Sequence, residues 1–413
     1  MTDAQLSDQR AVLPVRRCSL SASFTGHWHL HQTSWRCRHH GTSSGTGLFA
    51  ASWPAGREFP FSTRLGPLLT GEKTGAMLAK GLRMSQTAAP KPNRTYEHVP
   101  VMLREVVGLI SAVPAGTVLD ATVGGAGHAR ALLEARPDLR LVGLDRDGPA
   151  VEVAMSRLAV FGERAQVVRQ RFDRLGLVLD QLGVGELSGA LFDLGVSSPQ
   201  LDQAERGFSY RSDAPLDMRM DQSQVLTAAH IVNEWSAEEL AALFRDHGEG
   251  RFARRMAGFV VESRPLLSTA QLVGVIERAV PAAARRPGHV AKRVFQALRV
   301  AVNSELDVLP SALDQAIARL VPGGRVVVIS YHSGEDRIVK ARFAWAATGG
   351  CTCPPGFPCV CGAEPRVRLL NRGARMPGSA ELAVNPRAAS ARLRAAEALG
   401  PASAINRLPR EAP

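Results

Sequence analysis

The stretch Thr117–Asp147, TVLDATVGGAGHARALLEARPDLRLVGLDRD, decides how the chain folds. It opens on a short apolar run, Thr117–Ala121, whose β-branched residues favour a strand and whose last acidic residue is Asp120. A glycine-rich turn follows, and Ala129, Leu132 and Leu133 then recur at helical spacing. A second strand, Arg140–Asp145, comes after Pro137 and leads into a helix over Pro149–Leu158. Working outward, strands are predicted at Gln166–Arg169, Ala190–Leu194 and Arg325–Tyr331, the last behind the turn Pro322, Gly323, Gly324. Near-continuous apolar strands alternating with helices predict a Rossmann-like α/β fold, a mostly parallel sheet covered on both faces.

Between Phe208 and Asn303 the strand signal gives way to helices. Ser236 stands three residues before Glu239 and just ahead of Leu240, Leu243 and Phe244, the pattern of a capping box opening an amphipathic helix. Further helices are predicted over Phe252–Val261, Thr269–Val280 and Arg293–Leu309. The expected organisation is a basic, disordered extension over 1–93, a first part of the α/β core over 94–207, an inserted all-helical domain over 208–302, a second part of the core over 303–395, and a flexible tail over 396–413. The extension is acid-poor and holds His27, His29, His31, His39 and His40, read as compositional bias. It is either a true extension, a targeting segment, or sequence ahead of a start at Met77 or Met84.

At 413 residues, 45% hydrophobic and 21% charged, the chain is no disordered tract, collagen or disulfide miniprotein. No apolar run approaches the roughly 18 residues of a membrane span, so a soluble cytoplasmic protein with no membrane partner is expected. Net charge is +12, of which +7 falls in residues 1–93, leaving +5 for the remainder. That surplus suits a polyanionic partner such as nucleic acid without requiring one. Six cysteines are too few for a secreted scaffold and point to reduced thiols.

Three segments carry chemistry. In the turn Asp120–His128, DATVGGAGH, a ligand can approach backbone amides at a helix start, and Asp145 closes the next strand where an acid accepts ribose hydroxyls. A dinucleotide fingerprint fits poorly, since counting from Gly125 places Arg130 where a small residue is needed, and counting from Gly124 places Ala126 at the second glycine. A looser nucleoside binder, an S-adenosylmethionine enzyme, fits better than an NAD-dependent oxidoreductase. Phe172 either lies against an adenine or packs in the core. Asp193–Gln200, DLGVSSPQ, follows the fourth strand at the ligand-holding edge. Downstream, Arg206, Arg211 and Arg219 interleave with Phe208 and Tyr210, cations for phosphates and aromatic faces for unpaired bases, or else a structural loop. Ser330–Arg337, SYHSGEDR, brings His332 and Arg337 to the same rim. Separately, Cys351, Cys353, Cys359 and Cys361 form C-x-C-x5-C-x-C, either a tetrahedral zinc site or reduced thiols.

Taken together, EHVPVMLREVV, DATVGGAGH, GLDRD, FDLGVSSPQLDQAERGFSYRSDAPLDMRMD, FQALRVAVNSEL, ISYHSGEDRIVK and NPRAASARLRAAE, spanning Glu97–Glu397, resemble the bacterial 16S rRNA (cytosine-N4)-methyltransferase family. The resemblance implies a class I methyltransferase sheet with a helical insertion. It also implies S-adenosylmethionine contacts from Ala126, Gly127, His128, Asp145, Phe172, Asp193 and Gln200. Where the family has two glycines before the histidine, this chain has Ala126 and Gly127. The substrate implied is a decoding-centre cytosine of 16S rRNA in the small ribosomal subunit, splayed from its stack. Asp193, or carbonyls of its loop, would polarise the N4 amine, with Ser197 and Ser198 fixing the loop or the base edge. Val196 stands where the D-P-P-Y loop of other amino methyltransferases carries a stacking aromatic, leaving that task to Phe208 or Tyr210. The competing readings are a non-catalytic RNA-binding protein and the NAD-dependent oxidoreductase. The cysteine cluster and residues 1–93 lie outside the shared pattern.

Overall fold

The computed structural model describes residues 100–284, 289–354, 357 and 359–400. The expected extension over 1–93 and residues 401–413 of the expected tail lie outside them. Helix α1 (Leu103–Ile110) precedes strand β1 (Gly116–Asp120), and α2 (Gly127–Ala135), β2 (Leu139–Asp145), α3 (Gly148–Leu158), β3 (Ala165–Arg169), α4 (Leu175–Gln181) and β4 (Leu187–Asp193) alternate after it. The strands are parallel, with Asp120 level with Gly143 on β2 and with Leu191 on β4. Every residue of β4 before Asp193 is buried, as a central strand covered on both faces requires. Val118, Leu191 and Val327 pack with α1 and α2 on one face, while Leu119, Phe192, Val326 and Val328 pack with α4 on the other.

A short helix, α5 (Ser198–Asp202), leads into a helical region of α6 (Ala228–Glu234), α7 (Ala237–Phe244), α8 (Ala253–Glu262), α9 (Thr269–Ala279) and α10 (His289–Asn303). This region has its own core, built around Phe244, Met256, Ile276 and Leu298. The capping box at α7 forms as its spacing predicts: the Ser236 amide donates to Glu239 Oε2 at 2.8 Å, and the Glu239 amide donates to Ser236 Oγ at 3.2 Å.

The chain then re-enters the sheet through α11 (Glu305–Ala318) and β5 (Leu320–Ser330), followed by α12 (Ser333–Thr348), β6 (Val367–Leu369), α13 (Ser379–Val384) and β7 (Arg392–Ala398). The sheet order is β3-β2-β1-β4-β5-β7-β6, with β7 antiparallel to both of its neighbours. Strand order reverses between β1 and β4, so a crevice opens beyond their carboxyl ends.

Three sequence expectations are corrected. The helix expected over Arg293–Leu309 is two helices, broken at Ser304, which adopts a left-handed φ of 51°. Asn303 anchors the break by donating to Met218 O at 2.8 Å and accepting from the Met220 amide at 2.9 Å, and Arg299 clamps Glu305 across it. Apolar spacing runs straight through because α10 buries a face in the helical core and α11 buries one against the sheet. The turn at Pro322–Gly324 lies inside β5 as an irregularity in its pairing with β4, because the register moves from Leu187 opposite Leu320 to Gly189 opposite Arg325. Finally, β7 runs to Ala398, past residue 396 where the tail was expected to begin. Its alanine-rich sequence has weak strand propensity, and pairing with β5 supplies what propensity does not.

Candidate active site

The crevice begins with the turn after β1. Ala126 is fully buried at a left-handed φ of 61°, a conformation that suits glycine better than alanine. Gly127 is required, since a Cβ there would lie 2.3 Å from Pro100 Cγ. Asp145, at the end of β2, gathers the turn around itself: Oδ2 accepts the Gly124 amide at 2.9 Å and Oδ1 accepts the Asp147 amide at 2.9 Å. Burial beneath these loops pushes its pKa up to about 6, against the opposing pull of both amides. Asp120 is more deeply placed, 1% exposed, and burial pushes it up to about 8, with the Thr122 amide pulling down and Asp193 and Asp145 adding like charge. Three carboxyl groups thus converge on one edge of the sheet.

Asp193 is the member of this group with a ring of partners. Its amide donates to Thr122 Oγ1 at 2.7 Å, which ties the end of β4 to the turn after β1. The Tyr331 hydroxyl donates to Asp193 Oδ1 at 2.7 Å, and His128 Nδ1 lies 3.7 Å from Oδ2. His128 is buried, with Nε2 2.9 Å from Val101 O, which can only accept, so that nitrogen carries a hydrogen. Burial and the adjacent carboxylate hold the Tyr331 phenol protonated by raising its pKa. Tyr331 was not among the sequence-predicted site residues. Its signal was positional, the first residue after β5 at the ligand-holding edge. Gly195, at φ 93°, lets the next loop lie against that ring, where a Cβ would be 3.3 Å from Tyr331 Cδ2.

A second hub, Asp147, fixes the loop after Asp193. Gln200 is buried; its Oε1 accepts the Ser197 amide at 3.0 Å and its Nε2 donates to Asp147 Oδ2 at 2.8 Å. Ser198 is buried at the start of α5, and Ser197 Oγ is buried with no hydrogen-bond partner in the protein. Phe172 is half-buried and meets Phe192 edge-on, with centroids 5.9 Å apart, at the boundary between core and crevice.

The cations and aromatics expected to face RNA divide sharply. Arg206 is 4% exposed, pairs with Asp147 at 3.2 Å and donates to the carbonyls of Arg219 and Met220; it braces the loop from inside and has no surface from which to meet a phosphate. Phe208 is likewise buried in the helical core, which removes it as a stacking face. Arg219 spends its guanidinium on Asp217 and on the carbonyls of Gln222 and Gln224. His332 caps α12, its Nδ1 accepting the Gly334 and Glu335 amides at 3.2 and 3.4 Å. Arg211 and Arg337 are exposed, and half-buried Tyr210 lies between Phe295 and the Arg211 guanidinium. Cys351, Cys353, Cys359 and Cys361 belong to the loop between α12 and β6.

Sequence reading overlooked a further basic feature. Beyond the ends of β2 and β3, next to Asp145, a cavity of about 370 Å³ is lined by Arg146, Arg169, Arg171 and Arg174. Arg169 pairs with Asp221 at 2.9 Å and Arg171 with Asp173 at 2.6 Å, while Arg146 reaches Asn303 O and Gln224 Oε1, both at 2.9 Å. Arg146 Nε is buried without a partner. The run RQRFDR at Arg169–Arg174 was the available signal.

Comparison with known proteins identifies the family. Residues 95–399 match the model of the MraW methylase family. The chain is 53% identical over 308 residues to Ribosomal RNA small subunit methyltransferase H of Thermobifida fusca, covering 73% of this chain and 93% of that one. It is 52% identical over 311 residues to the protein of that name from Geobacter sulfurreducens, covering 74% of this chain and 100% of the relative, and 50% identical over 307 residues to the one from Symbiobacterium thermophilum, covering 73% and 96%. Among the described residues no helix is long and apolar enough to cross a membrane. A Rossmann-like sheet whose glycine turn, Asp145 and Asp193 meet where strand order reverses, matched to one family model over nearly all of that sheet, makes this chain a member of the MraW methylase family.

Proposed function

We propose that the protein transfers a methyl group from S-adenosylmethionine to N4 of a cytosine in the decoding centre of small-subunit ribosomal RNA. The observation that carries the reading is the placement of Asp145 and Asp193 on one sheet edge, either side of a glycine turn closed against Pro100. The residues present suit such a cofactor: Asp145 is an acceptor for ribose hydroxyls, the left-handed turn at Ala126 admits a ligand beside the start of α2, Phe172 offers a half-buried ring edge, and Ser197 Oγ is a buried hydroxyl in want of a partner. S-adenosylmethionine, when bound, supplies an electrophilic methyl on a sulfonium.

The exocyclic amine of cytosine is a weak nucleophile because its lone pair is shared with the ring. Asp193 is suited to accept a hydrogen bond from that amine and align it, with the Tyr331 hydroxyl holding the carboxylate in place. Asp193, or water beside it, would take the amine proton released when the sulfonium gives up its methyl to N4. Gln200 and Arg206 act at a distance, fixing the DLGVSS loop through Asp147. The helical region 208–302 and the arginine-lined cavity beside Asp145 are proposed to grip the RNA around a flipped cytosine, Arg169 and Arg174 being the exposed pair of the four.

The test is methylation of undermethylated 30S subunits or their rRNA with labelled S-adenosylmethionine, followed by nucleoside mass spectrometry. N4-methylcytidine is the expected product. Label on another base would overturn the assignment to the cytosine amine, and absence of cofactor binding by calorimetry would overturn the enzyme reading itself.

A further inference from the structure

We infer that Cys351, Cys353, Cys359 and Cys361 form a structural zinc site that staples the loop between α12 and β6. The four sulfurs all lie within 4.8 Å of one another. Three of the edges are 3.4 Å for Cys351–Cys359, 3.5 Å for Cys359–Cys361 and 3.6 Å for Cys351–Cys361. A tetrahedral zinc with sulfur ligands at ~2.3 Å has sulfur–sulfur edges of ~3.8 Å, so an outward relaxation of a few tenths of an ångström opens a fitting centre. A disulfide would need ~2.05 Å, and none of these three pairs approaches it.

Apolar burial does not explain why the sulfurs meet. Among the described residues of 349–366 there is no helix or strand, and Phe357 and Val360 point into solvent at 74% and 89% exposure. A segment of this length without secondary structure or core needs another source of order, and metal binding is a source that supplies folding free energy directly. Its ends already meet: a Cβ on Gly349 would lie 2.3 Å from Glu364 O, and the Arg366 amide donates to Ala346 O at 2.8 Å. Backbone amides of Thr352 and Ala363 are directed at the Cys361 sulfur and that of Cys353 at Cys351, the arrangement that stabilises metal-bound thiolates. An all-sulfur set selects zinc over magnesium or calcium. Among the described residues, the other close group of metal-ligating side chains, Glu305, His332 and Glu335, is already neutralised by the Arg299 clamp on Glu305 and by the helix-capping role of His332. The one-residue spacing within each C-x-C pair, tighter than usual, is accommodated because opposite pairs face each other across the loop.

The test uses the full chain, purified without chelator or polyhistidine tag, with metal content measured by mass spectrometry for wild type and for Cys359→Ser/Cys361→Ser. About one zinc per chain in wild type, falling roughly tenfold in the variant, is expected. Cobalt replacement should give intense thiolate-to-metal absorption in wild type, a readout that stands even if the variant fails to fold by near-ultraviolet circular dichroism. Zinc retained undiminished by the variant would place it elsewhere, for example on the histidines at 27–40, and overturn the site. So would folded wild type that holds no zinc and gives no cobalt–thiolate band, or one whose four thiols resist alkylation until reduced.

Discussion

Two segments of this chain look alike in composition and behave oppositely in the fold. Asp193–Gln200 and Arg206–Asp221 both mix charges, hydroxyls and small residues just after the fourth strand. The first ends a buried strand at the crevice, and Asp193 meets Tyr331 and His128 there. The second turns Arg206 onto Asp147, Phe208 into the helical core and Arg219 onto Asp217, and leaves Arg211 exposed. A cation in a loop is therefore no evidence of a surface cation. Where the carboxylates and carbonyls of the fold lie decides whether it faces a ligand or the protein.

The sharpest way to break this contrast is to remove one residue from each segment. Asp193→Ala should lower methyl transfer at saturating cofactor by roughly 10²–10³-fold while leaving thermal stability close to wild type, measured by single-turnover assay and calorimetry. A near-normal rate would remove Asp193 from the chemistry. Arg206→Ala should act first on stability, costing about 3–5 kcal/mol in urea unfolding because it leaves Asp147 buried without its cation. Exposed Arg211→Ala should stay within about 0.5 kcal/mol. If Arg206→Ala unfolded like wild type and instead weakened RNA binding, the inward assignment of this segment would fail.

A smaller effect sharpens the first half of the comparison. The folded Asp145 pKa of about 6 lies above the ordinary value of 3.8, so below pH 4 the protonated acid suits the folded apo protein, and that advantage is lost as pH rises through 6. Cofactor binding should have the opposite dependence, since ribose hydroxyls need the ionised acceptor. The dissociation constant for S-adenosylmethionine should rise roughly fivefold between pH 6 and 5, and Asp145→Asn should bind more weakly with no such step. A flat wild-type profile across this range would mean that Asp145 does not hold the ribose in its charged form.

Much of the site's location was legible. Strand ends at Asp120, Asp145 and Asp193 follow from apolar runs that stop at an acid, and all three meet at the sheet edge because parallel strands align their carboxyl ends. The His128 ring and the Tyr331 hydroxyl beside Asp193 were less legible, since their approach depends on how the chain before α1 and the end of β5 pack across β1 and β4. The break at Ser304 was hidden because an unbroken apolar period serves two different cores.

Local sequence by itself determined the strand–turn–helix units, the acids that end them, the capping box of α7 and the pairing of cysteines in a short loop, because each depends on residues close together in the chain. Tertiary structure alone decided that β7 joins the sheet antiparallel, that Arg206 turns inward to Asp147, and that four arginines line a cavity beside Asp145. Those outcomes depend on partners such as Asp147 and Arg206, fifty-nine positions apart, and no local pattern records a contact made across that distance.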